Sequence, residues 1–374
     1  MSNKVKHVLG ISGGKDSAAL SIYLSGKYPG MDVEYYTCDT GRELDETYQL
    51  IDRLESQLGK SILKLAPVDL ENTTGESTFD HFLELYGGYL PSSVSRWCTK
   101  KLKLEPFEDY MGDEPTISYV GIRGDEDRDG YISKKQNVQS IFPFRKNIWS
   151  EDVVKLLVNN NSLEKLKATY KKIVGDGTYN SISKIVEAQI TPNFTRKQKV
   201  DALLDISIKN FNRVFFELLK ETEYPIGKLE NYELLDNEDI LVRDDIFRIL
   251  EDSGVGIPEY YKPLEYEVEI DGEIKKGKYS RSRSGCFFCF FQQKIEWVWL
   301  YETHKDLYLK AMDYEKEGYS WTDSERLEEI IKPERIKAIK KEHYLRQQRK
   351  QSKGGNWQDA IIEAEGEGCA SCFI

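Results

Sequence analysis

The segment "GISGGKDSAAL", Gly10 to Leu20, restricts the fold of this chain more than any other stretch. The apolar run before it, Val5 to Ile11, is short and β-branched and predicts a buried strand, and the residues after it predict a helix. Glycines let backbone N–H groups approach an anion, and a helix N-terminus carries positive potential. The loop is therefore predicted to bind phosphate groups through Ser12, Gly13, Gly14, Lys15, Asp16 and Ser17.

Composition excludes several classes of protein. The chain has 374 residues, enough for two domains, and a formal net charge of -11, which argues against a uniformly basic nucleic-acid-binding protein. No apolar run approaches the length of a membrane span, and the N-terminus lacks a secretory apolar region. Cysteines in C-x-x-C pairs favour metal or redox chemistry in a reducing compartment. We therefore expect a cytoplasmic protein without membrane partners.

The spacing of the loop separates it from the P-loop of GTPases and kinases, which has four residues between its first Gly and its Gly-Lys pair. "SGGKDS" resembles instead the PP-loop of the N-type ATP pyrophosphatases, which split ATP between its α- and β-phosphates. The resemblance implies ATP and Mg²⁺ as ligands. It also implies an α/β fold, with a Rossmann-like, twisted, mostly parallel sheet flanked by helices, as in adenine nucleotide alpha-hydrolases.

Three further segments resemble the phosphoadenosine-phosphosulfate (PAPS) reductase branch of that superfamily. "DTGRELDET" matches a segment beside the nucleotide in that branch, so Asp39, Thr40 and Gly41 inherit this role from the resemblance. "GIRGDEDR" matches a strand and loop of the family and includes Gly121, Arg123 and Arg128. Two arginines at a strand end suit bidentate contact with phosphate or sulfate. "FPFRKNIWSEDV" also matches and is interpreted as structural.

The pattern "DVVKLL" at Asp152 reappears as "DIFRIL" at Asp245, and only the second copy leads to the family's "GIP" segment. We infer that residues 159–244 are a helical insertion between two versions of one helix start. The predicted organisation is a nucleotide-binding domain at 1–158, the insertion at 159–244, a second catalytic part at 245–330, and a basic segment with a cysteine-containing tail at 331–374.

Cys286 and Cys289 form a C-x-x-C pair whose thiolates suit a shared metal. This pair resembles one in adenylyl-sulfate (APS) reductases and DNA-phosphorothioation enzymes. In those enzymes the pair holds a [4Fe–4S] cluster together with a cysteine from an "R-x-C" segment. The resemblance therefore implies Cys98 as the third ligand. Three outcomes stay open: a three-ligand cluster with an open iron, a fourth ligand from Cys369 or Cys372 of the tail, or Zn²⁺ in place of the cluster. The tail pair alternatively supplies a catalytic or persulfide-carrying thiol, or is a disordered end.

Three functions follow from these resemblances. The first is an ATP pyrophosphatase and adenylating sulfurtransferase that activates an acceptor, DNA or tRNA, and takes sulfur from a donor such as a cysteine desulfurase. The basic run at residues 331–353 has nine Lys or Arg and two Glu, and is either a solvated face or a contact with phosphates. The second is a PAPS or APS reductase that releases sulfite with a tail cysteine. The third is a nucleotide-sensing subunit without turnover.

Overall fold

A computed structural model of the chain describes residues 4–67, 77–127, 130, 132–133, 135–282, 285–316 and 318–351. Arg128 and the tail cysteines Cys369 and Cys372 lie outside the described residues. None of the helices in this described part combines the length and apolar character that a membrane crossing requires.

A five-stranded parallel sheet organises the first part of the chain. The sheet has the order β3-β2-β1-β4-β5, and each neighbouring pair is parallel. Its strands are β1 (Lys6–Gly10), β2 (Val33–Cys38), β3 (Ile62–Leu65), β4 (Thr116–Tyr119) and β5 (Val138–Ile141). The chain order reverses on either side of β1, so the crevice at the carboxyl ends of β1 and β4 is the place where such sheets bind ligands. The predicted α/β fold class is confirmed.

Helices connect the strands and cover the sheet. They are α1 (Lys15–Lys27), α2 (Asp45–Leu58), α3 (Thr78–Leu85), α4 (Trp97–Thr99) and α5 (Glu105–Met111), with a π-helical turn at Lys100–Leu104 between the last two. Residues Leu9, Leu20, Leu54 and Ile117 are fully buried between sheet and helices. Parallel strands are buried on both faces, which accounts for their apolar sequence.

The segment after β5 is helical, and its helices share the hydrophobic core of the sheet. They are α6 (Glu151–Leu157), α7 (Leu163–Val186), α8 (Arg196–Ile206), α9 (Ile208–Leu219) and α10 (Arg243–Asp252), with 3₁₀ turns at Pro225–Lys228 and Glu233–Asp236. Helix α7 breaks at Gly175, which has φ 76°. Helix α10 packs on α1. The two copies of the repeated helix start therefore form α6 and α10.

The last third of the chain builds a second hydrophobic cluster. A 3₁₀ turn (Glu259–Tyr261) precedes an antiparallel hairpin of β6 (Leu264–Ile270) and β7 (Glu273–Tyr279). Asp271 and Gly272 at its tip have φ 52° and 81°, as the Asp-Gly turns of two-residue hairpins do. The described residues after it form helices α11 (Lys294–Thr303), α12 (Lys305–Asp313), α13 (Leu327–Ile330) and α14 (Pro333–Gln351). Their aromatic core includes Trp297, Tyr308 and Trp321, and α14 packs on β6 and α11.

Candidate functional site

The glycine-rich loop lies at the carboxyl end of β1 and begins α1. Gly13 has φ 72°, and a Cβ at this position would lie 2.2 Å from Thr47 Cγ2, so only glycine fits. Gly14 is the N-cap of α1 and has no side chain to cap the first turn. The Ser17 hydroxyl lies 3.2 Å from the Gly14 carbonyl oxygen and from the Ser12 hydroxyl. The loop thus places a glycine turn at a helix N-terminus, where backbone N–H groups can bind an anion, and its phosphate-binding role stays a prediction.

A buried network of charges lies directly behind the loop. The Lys15 ammonium is 3.0 Å from Asp16 Oδ2, and Arg123 donates to Asp16 Oδ1 at 2.8 Å and to Glu126 at 2.7 Å. Arg123 Nε also donates to Asp125 at 2.8 Å. Burial favours the neutral acid at Asp16, but the charges of Arg123 and Lys15 outweigh it and hold the pKa of this carboxyl well below its usual value.

The end of β4 approaches the loop closely. A Cβ on Gly121 would lie 2.8 Å from the Asp16 carbonyl oxygen, so this predicted site residue allows β4 to pack against the first turn of α1. Lys15 is 2% exposed and Arg123 is fully buried. The two cations are therefore paired with carboxylates inside the protein in this state, and a phosphate that contacts Lys15 has to replace part of this pairing.

The segment after β2 forms a hydrogen-bonded cluster of two carboxylates. Asp39 Oδ1 accepts from the Gly41 amide at 2.8 Å and from the Tyr48 hydroxyl at 2.9 Å, and the same hydroxyl lies 3.0 Å from Glu43 Oε2. Thr40 Oγ1 donates to Glu43 Oε1 at 2.7 Å. Burial, with the neighbouring charge of Asp39, raises the pKa of Glu43. A narrow cleft lined by Ser12, Asp39 and Glu43 joins this cluster to the glycine-rich loop.

The C-x-x-C turn is attached to this same segment. Phe287 N donates to the Arg42 carbonyl at 3.0 Å, and Cys286 forms an antiparallel bridge with Glu43. The Cys286 thiol lies 3.2 Å from Thr40 Oγ1. Thus Thr40 contacts the thiol of a turn that lies 246 residues further along the chain. The structure brings the predicted nucleotide segment and the predicted metal segment into one site.

Among the three predicted metal ligands, Cys289 lies near both Cys98 and Cys286. Burial, followed by the charge of Cys289, raises the pKa of the Cys98 thiol to about 11. Burial also raises the pKa of the Cys286 thiol, and the charges of Glu43 and Cys289 add to this effect. Yet across the described residues no group of three His, Cys, Asp or Glu side chains is arranged to hold a metal ion. The thiols therefore lie in the same region of the protein, but they are not arranged around one point where a metal ion would bind.

Two residues that the sequence analysis did not single out connect the loop to the turn. The Tyr260 hydroxyl donates to the Gly13 carbonyl at 2.8 Å, and the Arg281 amide donates to the Tyr260 carbonyl at 2.9 Å. The Arg281 guanidinium donates to the Cys286 carbonyl at 2.6 Å. Arg281 is fully buried, and its Nε and NH1 have no hydrogen-bond partner among the described residues. Glu43 and Tyr48 were also missed, although Glu43 lies in the matched "DTGRELDET" segment and Tyr48 directly follows it.

Cys38 is a core residue of the sheet and not part of the thiol cluster. It ends β2 in a small hydrophobic cluster with Val8, Tyr36 and Phe107, and burial raises the pKa of its thiol to about 12. Trp149 is likewise structural: it is buried, and its indole N–H donates to Asn212 of α9 at 3.0 Å.

The parallel sheet, its switch point and the glycine-rich loop are features of an α/β nucleotide-binding domain. Residues 6–167 match the family model of the phosphoadenosine phosphosulfate reductase domain. The chain therefore carries such a domain across these residues, and the predicted resemblance is confirmed there. The matched range includes the glycine-rich loop, Asp39 and Cys98, but ends before the C-x-x-C pair.

One relative adds little about function. The uncharacterized protein MJ0066 of Methanocaldococcus jannaschii is 31% identical over 148 residues, which is 36% of this chain and 28% of the relative. The chain thus spans less than a third of that protein's length.

Proposed function

We propose that this protein is an ATP pyrophosphatase that adenylates an acceptor for sulfur incorporation. The observation that carries the proposal is the contact between the segment beside the glycine-rich loop and the C-x-x-C turn, through Thr40 and Cys286. An enzyme that activates an oxygen and then replaces it by sulfur needs a nucleotide site and a sulfur-handling thiol side by side. A domain of the PAPS reductase kind in this position supports sulfur-related nucleotide chemistry.

The residues around the loop have defined roles in this proposal. Backbone amides between Ser12 and Ser17 bind the phosphates at the start of α1, and Lys15 and Arg123 balance their charge. Bound Mg²⁺ would offset the remaining phosphate charge. An acceptor oxygen attacks the α-phosphorus and pyrophosphate leaves. The terminal sulfur of a persulfide then displaces AMP from the adenylated carbon or phosphorus, and a second thiol cleaves the S–S bond, so that the sulfur stays on the acceptor and a disulfide forms. The carboxylates Asp39 and Glu43 border this site on the side of the thiols.

The acceptor in this proposal is a nucleic acid, and the sulfur donor is a persulfide-bearing protein such as a cysteine desulfurase. Helix α14 supports a nucleic-acid partner, because it concentrates cations in an otherwise acidic chain.

The [4Fe–4S] cluster on Cys98, Cys286 and Cys289, or Zn²⁺ in its place, stays a prediction. Their shared neighbourhood favours it, whereas the side-chain arrangement described above is not that of a formed metal site. No chemical step is therefore assigned to a metal. Protein purified without air is expected to be brown and to contain iron and acid-labile sulfide. A colourless, zinc-loaded protein would reject the cluster, and Cys286→Ser is expected to remove the metal while ATP binding persists.

Product analysis with ATP labelled at the α-phosphate tests the proposal. We expect label in AMP or in an AMP adduct, with pyrophosphate as the second product, and we expect Lys15→Ala to abolish both. Lys27→Ala, at the exposed far end of the same helix, is the matched control. The alternative, a PAPS or APS reductase, predicts intact ATP and sulfite release from one of those nucleotides. That result would replace the proposal.

A further inference from the structure

A second cavity lies on the other side of the C-x-x-C turn. Its volume is about 560 Å³, within the range of about 300–1,000 Å³ that is typical of small-ligand sites. It is bounded by residues 290–295, which follow Cys289, by residues 320–324 and by one face of α14. The turn therefore contacts the nucleotide segment through Cys286 and borders this cavity through Phe290 and Phe291.

The interior of the cavity is aromatic and rich in amide groups. Phe290 and Phe291 are half-buried, with ring centroids 4.4 Å apart, and Trp321 forms part of the wall. Gln292 is 7% exposed, and its Oε1 accepts no hydrogen bond from any described residue, while its Nε2 donates to the Phe287 carbonyl at 2.7 Å. The Gln292 Oε1 atom is not accessible from the cavity, so a ligand there meets mainly the aromatic rings, which suit a flat, apolar group.

The charges that face the cavity largely cancel. Lys294 is paired with Glu325, and Glu342 accepts from Arg335 at 3.1 Å. Burial and the nearby Arg346 lower the pKa of His343 to about 4, so its ring is neutral at pH 7. Asp323 is exposed. The interior thus holds little net charge.

Two exposed arginines lie at the rim. Arg346 of α14 lines the cavity, and the Arg96 guanidinium lies 5.1 Å from the centre of the Phe291 ring. A neutral aromatic recess with arginines at its rim matches a nucleotide whose base enters and whose phosphates stay outside.

We propose that this cavity receives one unpaired base of a single-stranded nucleic acid, the acceptor strand, while Arg96 and Arg346 contact its phosphates. This inference rests on the proposed function and names its substrate as an unpaired nucleotide. A base within a duplex is stacked and paired, so it reaches a recess of this kind only after it leaves the helix.

Fluorescence anisotropy with a labelled oligonucleotide of about 12 nucleotides tests the inference. The probes are single-stranded DNA, single-stranded RNA of the same sequence, and duplex DNA. We expect either single strand to bind at least about tenfold tighter than the duplex, and the preferred strand identifies the acceptor as DNA or RNA. Duplex binding as tight as that of both single strands, or no binding of any probe, would overturn the inference.

Variants locate the site. Phe291→Leu keeps an apolar side chain but removes the stacking ring, and we expect an affinity loss of about tenfold. Arg346→Ala is expected to weaken binding and to lower the slope of affinity against salt by about one. Lys337→Ala is the matched control, because Lys337 is on the same helix, lies outside the cavity and pairs with Glu334 at 3.4 Å. If Arg346→Ala and Lys337→Ala weaken oligonucleotide binding equally, the strand is attracted by the overall charge of α14, and the proposed site is rejected.

ATP binding by the wild-type protein is measured on the same preparation. Absence of ATP binding would reject the proposed function. Absence of oligonucleotide binding with ATP binding intact would reject only the inference about the cavity.

Discussion

At the scale of single residues, the buried arginine explains how the loop keeps its shape. Arg123 is fully buried and contacts Asp16, Asp125 and Glu126. Sequence analysis assigned this arginine to phosphate or sulfate, because a charged residue at a strand end gives no sign of its internal partners. Asp16 lies 107 residues away in the chain. The structure shows the ion-pairing role of Arg123, which the sequence did not indicate. Its role as a phosphate ligand stays a prediction.

Arg123→Ala is expected to lower the free energy of unfolding by about 3–5 kcal/mol, because it leaves buried carboxylates without their cation. Urea unfolding followed by circular dichroism without ligand measures this loss. Arg248→Ala is the control: Arg248 is 67% exposed and pairs with Asp245 at the surface, so its loss costs about 0–1 kcal/mol. Similar losses in the two variants would contradict the role given to the buried network.

Tyr260→Phe tests whether the tyrosine positions the loop. The variant removes one hydrogen bond to the Gly13 carbonyl, and we expect ATP affinity to fall about two- to tenfold without unfolding. Tyr308→Phe makes the same change at a buried tyrosine that donates to the Leu327 carbonyl at 2.8 Å, outside the site. Titration calorimetry compares the two. An equal effect of both variants on ATP affinity would indicate a general loss of stability rather than positioning.

At the scale of elements, local patterns predicted strands and helices well. The apolar run before the glycine-rich loop forms β1, and the repeated pattern that begins at Asp245 lies within α10. Patterns within a single segment did not predict which elements that are distant in the chain contact each other. The pairing of Arg42 with Phe287 uses backbone groups, which every residue has, so no sequence pattern predicted it; the resemblance to known enzymes paired the C-x-x-C turn with Cys98 instead.

The anchoring of α14 gives a pH-dependent prediction. Arg335 near the start of α14 binds Glu325 through two hydrogen bonds of 2.7 and 2.8 Å, and these bonds lower the pKa of Glu325 to about 2. Because the unfolded carboxyl titrates near about 4.3, the stabilisation is present above that pH and is lost as the pH falls toward 2.

Glu325→Gln is therefore expected to lower the free energy of unfolding by about 1–3 kcal/mol at pH 7 and by progressively less between pH 4 and pH 2. Urea titrations across this range measure the difference from wild type. Glu334→Gln removes an exposed ion pair within α14 and is expected to have little effect on the free energy of unfolding at any pH. A difference for Glu325→Gln that stays constant with pH would exclude the ion pair as its cause.

At the scale of the whole molecule, the site lies where two hydrophobic clusters meet. The sheet and helices α6–α10 contribute to one cluster, whereas the C-x-x-C turn and helices α11–α14 belong to the other. The glycine-rich loop comes from the first and the thiols come from the second. Tyr260 and Arg281 join them by hydrogen bonds. Nucleotide occupancy at the loop is thus expected to change the accessibility of the turn.

Thiol alkylation with and without a nucleotide tests this central claim directly. The rates at which iodoacetamide modifies Cys286 and Cys289 are measured by mass spectrometry in metal-free protein, with α,β-methylene ATP as the uncleaved ligand and added glutathione as reference thiol. If the nucleotide and the turn share one site, the nucleotide will slow modification of Cys286 and Cys289 relative to glutathione. Unchanged rates at a nucleotide concentration that saturates the protein would show that the two regions function apart.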